Sequence, residues 1–173
     1  MKKIILIGIP GCGKSTLGRR AAHVMQVPFY DTDKLSMERI KLERLSDIFR
    51  LTFSGQFIRA QIDVMNELAQ RDEAAMISTG AETALIPECA ALMKKMGTVV
   101  HIQRKPELAA ADMKIKRKDG IVLSVKGKDV DMREDGMKFY MEEYSKYEAL
   151  ADLKLDNNGT EDRGFKKLIK MLT

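Results

Sequence analysis

The sequence predicts an α/β fold: a three-layer sandwich in which helices cover both faces of a five-stranded parallel sheet. Short apolar runs alternate with longer amphipathic segments along the 173 residues, which is the pattern of repeated βα units. A chain of this length can bury one sizeable core, so we expect a single domain over residues 1–173. Its two cysteines do not make a disulfide framework and favour a reducing compartment.

Five apolar runs bounded by turn residues are the candidate strands. The first of them directly precedes a glycine-rich loop and is read as a buried strand rather than a signal peptide, because it is too short and lacks a cleavage site. The predicted strands are Lys3–Gly8, Pro28–Tyr30, Ala74–Ser78, Thr98–Ile102 and Leu153–Leu155.

The segments between the strands have helical spacing of apolar residues. The clearest case has apolar residues at positions 57, 58, 62, 65 and 68. The predicted helices are Lys14–Met25, Lys34–Glu43, Gly55–Ala69, Pro87–Met96, Glu107–Lys116, Lys138–Leu150 and Glu161–Leu172. Residues 117–135 are rich in charge and glycine, and we expect them to form a mobile lid outside the core.

Charge and composition narrow the class of partner. The 30 basic and 25 acidic residues give a net charge of +5 and a pI near 9.1, which suits anionic ligands such as nucleotides. The excess is spread along the chain and aromatic residues make up only 6%, so nucleic-acid binding is not expected. No uncharged run reaches the length of a membrane span. We expect a cytoplasmic monomer without membrane partners.

The first functional motif is a glycine-rich loop between the first strand and the first helix. Gly8-x-x-x-x-Gly13-Lys14-Ser15 fits a P-loop, whose backbone N–H groups surround a nucleotide phosphate at a helix N-terminus. Lys14 would bridge the β- and γ-phosphates, and the Ser15 hydroxyl would bind Mg²⁺. The predicted ATP-binding residues of this loop are Gly11, Cys12, Gly13, Lys14, Ser15 and Thr16.

Other motifs indicate which kind of P-loop protein this is. A GTPase of this size should carry Asp-x-x-Gly soon after the P-loop and Asn-Lys-x-Asp later. The Asp-x-x-Gly of this chain lies at Asp156–Gly159, near its end, and Asn-Lys-x-Asp does not occur. The sequence is therefore unlike that of a GTPase. Large ATP-driven motors are not expected either, because they need a longer chain.

Two aspartates follow the second predicted strand. Asp31 and Asp33 would face the same side if the chain stays extended, at the strand ends where α/β sheets bind ligands. One carboxylate would serve Mg²⁺ and the other would accept a proton from a substrate hydroxyl. The alternative is that Asp31 or Thr32 only caps the next helix.

Several motifs together resemble the shikimate kinase family in order and spacing over most of the chain. They are GIPGCGKSTLGRRAA, VPFYDTD, LSDIF, FIRAQID, ISTG, GTVVHIQRKPE and YEALADLKLD. The resemblance implies a nucleoside monophosphate kinase-like fold and ATP-dependent phosphorylation of a small hydroxylated acid, shikimate. It also implies that Asp31 lies on the magnesium side, that Asp33 is the base, and that Arg59 and Gly80 bind the acceptor. The alternative for Arg59 is that it lies on a solvated helix face and does not bind the acceptor.

Two positions depart from the family pattern. Glu82 stands in place of the last residue of the family's triple glycine, and Glu143 stands where a second substrate-binding arginine is expected. Both carboxylates would repel an acidic acceptor. Arg133 or Lys138 could supply the missing cation.

The remaining candidates lie late in the chain. Lys116, Arg117 and Lys118 are placed to bring a cation over the transferring phosphoryl group, and we choose Arg117 because a guanidinium binds phosphate through two parallel hydrogen bonds. Asn157 is a candidate for the adenine loop. The alternative for Arg117 is that it belongs to a solvated basic loop. The alternative for Asn157 is that it belongs to an ordinary turn before a helix.

The leading hypothesis is thus a shikimate kinase-like phosphotransferase that uses ATP and Mg²⁺ and a small-molecule substrate. A kinase of the same fold for another hydroxylated metabolite, and a nucleotide-binding switch without turnover, remain as alternatives.

Overall fold

The computed structural model describes residues 2–41, 54–117, 124–125, 128–129 and 137–173. The strands are β1 (Lys3–Ile7), β2 (Phe29–Asp31), β3 (Met76–Ser78), β4 (Gly97–Gln103), β5 (Ser124–Val125), β6 (Lys128–Asp129) and β7 (Leu153–Asp156). The central sheet has five parallel strands, as predicted, and their order is β2-β3-β1-β4-β7. A separate antiparallel pair, β5-β6, lies within the region predicted as a lid.

Helices follow the strands as expected for βα units. Three of them match the predicted bounds, at 14–25, 87–96 and 161–172. The helices are α1 (Lys14–Met25), α2 (Thr32–Arg39), α3 (Gly55–Gln70), α4 (Pro87–Met96), α5 (Pro106–Arg117), α6 (Met137–Glu142), α7 (Tyr144–Leu150) and α8 (Glu161–Leu172). A 3₁₀ turn spans Thr83–Leu85.

Two predicted helices differ from the observed ones by more than one residue at an end. The helix predicted over Lys34–Glu43 begins earlier, at Thr32, and ends at Arg39; Lys41, shortly beyond its end, has φ of 55°. The helix predicted over Lys138–Leu150 is divided into α6 and α7, with Glu143 between them at φ −90° and ψ 3°. Apolar periodicity continues across such a break, so sequence alone did not reveal it.

The sheet order determines where the site lies. All five residues of β1 are buried, because this central strand is covered by helices on both faces. Since β1, β2 and β3 are parallel neighbours, the loops after their carboxyl ends meet at one edge of the sheet. The glycine-rich motif and Gly80 follow β1 and β3 at this edge, and Asp31 and Asp33 lie there at the junction of β2 and α2. Among the described residues, no helix is both long enough and apolar enough to span a bilayer.

Candidate active site

The loop after β1 has the backbone that its glycines permit. Gly11 and Gly13 have φ of 75° and 104°, in the region that side chains with a Cβ rarely adopt. Lys14 is 8% exposed, and its Nζ donates to the carbonyl oxygens of Gly8 and Ile9 at 2.9 Å each. The ammonium group is therefore held over the loop, where a bound anion would sit.

Asn157 links this loop to the far end of the chain. It is 4% exposed, and its Nδ2 donates to the carbonyl oxygen of Cys12 at 2.8 Å. The backbone carbonyl oxygen of Asn157 accepts from the Arg104 guanidinium at 2.5 Å. Gly11, Gly13 and Thr16 line a cavity of about 440 Å³ beside these residues. Asn157 thus positions the loop and lines the cavity; a direct contact with adenine stays a prediction.

A hydroxyl and a carboxylate meet at the start of α1. Ser15 Oγ donates to Asp31 Oδ2 at 2.9 Å and lies 3.0 Å from Ser78 Oγ. The other oxygen of Asp31 accepts from the backbone N–H groups of Asp33 and Lys34, at 3.1 and 3.3 Å, as the N-cap of α2. The two roles considered for Asp31 are therefore compatible: one oxygen caps the helix and the other faces the P-loop.

This pair fits a magnesium ion. Mg²⁺ prefers hard oxygen ligands and is commonly held by one or two protein groups together with substrate phosphates and water. Ser15 and Asp31 supply such oxygens beside the phosphate loop. Within the described ranges, no cluster of three or more His, Cys, Asp or Glu side chains could hold a metal ion alone. Phosphate oxygens of ATP would complete the coordination shell.

Asp33 lies in the first turn of α2, so the chain does not stay extended through this residue and the condition for Asp31 and Asp33 to face the same side is not met. The Oδ1 of Asp33 is buried and lies close to the Glu82 carboxyl group, across the position where a Cβ of Gly80 would stand. Burial raises the pKa of Asp33 well above its ordinary value, and the nearby carboxyl groups of Glu82 and Asp31 raise it further. A buried carboxyl with a raised pKa is a stronger base once ionised, which suits proton abstraction from an alcohol.

Gly80 lies between two carboxyl groups. A Cβ at this position would stand 2.1 Å from Asp33 Oδ1 and 2.7 Å from Glu82 Oε1, so only glycine fits without displacement. Its N–H donates to Thr32 Oγ1 at 3.1 Å. Glu82 does not turn outward to solvent: it is 7% exposed, and burial raises the pKa of its carboxyl group.

A second cavity, of about 360 Å³, extends from Glu82. Ile58 lines it from α3, whereas Arg59, the predicted carboxylate-binding residue, is exposed and is not part of the lining. Glu143 lies on the same wall and pairs with Lys146. The role predicted for Arg59 receives no support from its placement and stays a prediction.

The predicted lid falls mostly outside the described residues. Arg117 is the last residue of α5, and its side chain lies outside them, as does Arg133. Lys138 is exposed on α6. Arg117 as the cation over the transferring phosphoryl group therefore stays a prediction.

Sequence reasoning missed several residues of the site. Ser78 and Thr32 lie within the recognised motifs ISTG and VPFYDTD, and Arg104 directly follows β4 at the same sheet edge, so their positions carried a usable signal. Tyr147 begins the recognised motif YEALADLKLD, but the hydrogen bond from its hydroxyl to the Ala81 carbonyl at 2.7 Å was not predictable, because it depends on the break between α6 and α7. The placement of Lys146 depends on the same break.

Comparison with known proteins agrees with this geometry. The sequence model of the family "Shikimate kinase" matches residues 10–173. A shikimate kinase of Pelotomaculum thermopropionicum is 30% identical over 99% of this chain and 96% of its own length. One of Azobacteroides pseudotrichonymphae is 35% identical, with 62% of this chain aligned to 63% of that protein.

A solved structure shows the fold. The shikimate kinase from Acinetobacter baumannii in complex with shikimate superposes with a TM-score of 0.80 at 23% identity, covering 99% of this chain and 93% of that one. The predicted P-loop kinase fold is confirmed, and the family match supports the predicted small-molecule kinase with its use of ATP and Mg²⁺. The chain belongs to the shikimate kinase family.

Proposed function

We propose that this protein transfers the γ-phosphoryl group of ATP to a hydroxyl group of a small metabolite, with shikimate as the acceptor that its family supports. The observation that carries the proposal is the 2.9 Å hydrogen bond from Ser15 to Asp31. It joins the phosphate loop to the strand end that bears Asp33, so a phosphate site and a buried carboxyl base adjoin each other.

Each residue has a role in such a transfer. Loop N–H groups and Lys14 bind and orient the phosphates, and Asp33 accepts the proton of the attacking hydroxyl. When bound at Ser15 and Asp31, Mg²⁺ neutralises charge on the phosphate oxygens. Positioning and electrostatics supply most of the rate enhancement in such reactions. Arg117 would place a further cation over the transferring group.

A second candidate is a kinase of the same fold with a different acceptor. Glu82 and Glu143 line the cavity next to Asp33, and Ile58 rather than Arg59 contributes from α3. An acid entering this cavity would meet two carboxyl groups. Lys146 is the cation that lines it within the described part of the chain.

Turnover with a panel of acceptors distinguishes the two candidates. ADP release from MgATP is measured with shikimate, gluconate, homoserine, polyols and nucleoside monophosphates. Efficient turnover of shikimate supports the first candidate, and turnover of another compound alone supports the second. Binding of ATP with no turnover of any acceptor would contradict the kinase proposal.

We also infer that the chain is one domain over residues 1–173 and acts as a cytoplasmic monomer that does not bind nucleic acid or membranes. The described parallel sheet draws strands from both ends of the chain, from β1 to β7, which supports a single folding unit. The dispersed charge and low aromatic content support a small-molecule partner. Sedimentation at several concentrations tests the oligomeric state.

A further inference from the structure

Lys146 is a cation in the wall of the cavity that extends from Glu82, and the transfer described above does not use it. Among the described residues of this wall, it carries the only positive charge. Its side chain is 61% exposed, so a ligand in the cavity can reach it. Arg59, the cation that the sequence predicted for this role, is not part of the described wall.

The fold fixes the backbone of Lys146 beside the loop that follows β3. The next residue, Tyr147, is fully buried, and its hydroxyl donates to the Ala81 carbonyl oxygen at 2.7 Å. The backbone N–H of Lys146 donates to the carbonyl oxygen of Glu143 at 3.0 Å, across the start of α7. The break between α6 and α7 therefore places Lys146 on the same cavity wall as Glu82.

Glu143 is the partner of the Lys146 ammonium group. The two side chains form an ion pair, and Glu143 is the more buried of the two, with 27% of its side chain exposed. An ammonium group has three N–H donors, so one can remain on Glu143 while the others bind a ligand. Glu143 is therefore not a free carboxylate that repels an acid, because its charge is paired with that of Lys146.

The Glu82 carboxyl group is also engaged within the protein. It is buried against the Asp33 carboxyl group and the Tyr140 hydroxyl, which form hydrogen bonds with it. The positive charge of Lys14 acts on it as well. The rest of the cavity wall includes the apolar side chains of Ile58, Leu85 and Phe139.

The cavity suits a small acid with a hydroxyl group. Its volume of about 360 Å³ is of the size that binds small metabolites. An acceptor that directs its hydroxyl group to Asp33 can lay its carbon skeleton on the apolar wall. Its charged group can then meet the accessible ammonium group of Lys146, which attracts a carboxylate and forms charge-assisted hydrogen bonds with it.

We propose that Lys146 binds the carboxylate of the acceptor. The substrate class is accordingly small hydroxylated carboxylic acids, and Lys146 takes the role that the sequence suggested for Arg59. This inference rests on the proposed kinase function and names the residue that recognises the acidic group of shikimate.

Binding of shikimate and of its methyl ester tests the assignment, because the ester keeps the hydroxyl groups and removes the charge. Calorimetry is performed on the protein saturated with Mg²⁺ and a non-hydrolysable ATP analogue. We expect the wild-type protein to bind shikimate about ten-fold more tightly than the ester, and Lys146→Gln to bind both about equally. Lys146→Arg keeps the positive charge and should retain most of the preference.

Lys154→Gln is the matched control. Lys154 is another exposed lysine that pairs with a glutamate, Glu148, but it lies on β7 and is not among the described residues of the cavity wall. Its substitution changes the net charge by the same amount and should leave the preference for shikimate unchanged. Thermal unfolding checks that all three variants are folded.

Steady-state kinetics give a second readout that a purely structural role of Lys146 would not produce. Lys146→Gln should raise the KM for shikimate about ten-fold and change kcat little, because the lost contact is made equally in the ground state and in the transition state. The KM for ATP should not change.

The outcomes separate the two proposals. Wild-type protein that does not prefer shikimate to the ester, or that binds neither, overturns the role of Lys146. An unchanged preference in Lys146→Gln, or an equal loss in Lys154→Gln, does so as well. Phosphorylation of shikimate or of its ester by MgATP supports the kinase function whichever result is obtained for Lys146. ATP binding without turnover of any acceptor contradicts the kinase function, while the binding ratios still decide the role of Lys146.

Discussion

The phosphate end and the acceptor end of the site differ in the charge of their buried groups. At the phosphate end, the Lys14 ammonium group is buried and donates to two loop carbonyl oxygens, and Ser15 donates to Asp31. At the acceptor end, Asp33 and Glu82 are neighbouring carboxyl groups, and burial raises the pKa of both. The phosphate end is therefore preorganised to bind an anion, whereas the acceptor end holds two carboxyl groups whose ionisation burial disfavours.

The largest expected effect comes from Asp33→Asn, which removes the base and leaves the phosphate loop intact. We expect kcat to fall by about 10²- to 10⁴-fold, the usual contribution of a positioned base. ATP affinity should change little, because Lys14 and Ser15 keep their partners. Steady-state kinetics and ATP titration measure the two effects. An active Asp33→Asn enzyme would contradict the assignment of the base.

Gly80→Ala should damage the acceptor end by steric collision. Its Cβ would lie 2.1 Å from Asp33 Oδ1, so the carboxyl group must move. Overpacking of this kind costs about 1 to 3 kcal/mol in unfolding free energy, and we also expect a higher KM for the acceptor. Denaturant unfolding and initial-rate kinetics measure both quantities.

Gly55→Ala is the matched control for that substitution. Gly55 begins α3, and no heavy atom of the described residues lies within 4 Å of its Cβ position. Gly55→Ala should leave the unfolding free energy and the KM for the acceptor nearly unchanged. Equal losses in the two variants would show that crowding at Gly80 is not the cause.

Glu82→Gln tests the energetic cost of burying this carboxyl group, through the pH dependence of stability. Because burial raises the folded-state pKa of Glu82, ionisation destabilises the fold as pH rises above the ordinary carboxyl value of about 4. The variant should therefore gain about 1 kcal/mol or more in unfolding free energy at pH 8 and less at pH 5. Urea unfolding at the two pH values measures the gain.

Glu88→Gln provides the comparison for the pH experiment. Glu88 is exposed and lines the same cavity. Its substitution should show no such difference between the two pH values. A gain of the same size in both variants would mean that net charge, rather than burial of Glu82, governs stability.

The same contrast separates what the sequence predicted from what it did not. The phosphate end is built from contiguous residues, Gly8 to Ser15, whose backbone forms the site, so a local motif was sufficient. The acceptor end depends on which helix face turns inward. Neighbouring positions such as Ile58 and Arg59 point about 100° apart on a helix, and apolar periodicity did not decide between them.

The position of Glu143 shows a second limit of sequence reasoning. It lies at the break between α6 and α7, in a segment that the apolar pattern predicted to be one helix. The break places Glu143 and Lys146 together on the cavity wall. Tertiary packing decided this arrangement, whereas the five strands of the parallel sheet and the loop after β1 were predicted from local patterns.

The smallest expected effect concerns the link between the two ends of the chain at Asn157. Its Nδ2 donates to the Cys12 carbonyl in a buried hydrogen bond. Asn157→Ala should therefore destabilise the phosphate loop by about 1 kcal/mol and raise the KM for ATP several-fold. The KM for the acceptor should not change. Asn158→Ala is the control, because Asn158 is exposed and bonds to Lys105 and Asp156 instead of the loop. If Asn157→Ala changes both KM values equally, the two ends of the site are coupled more closely than their separate hydrogen bonds indicate.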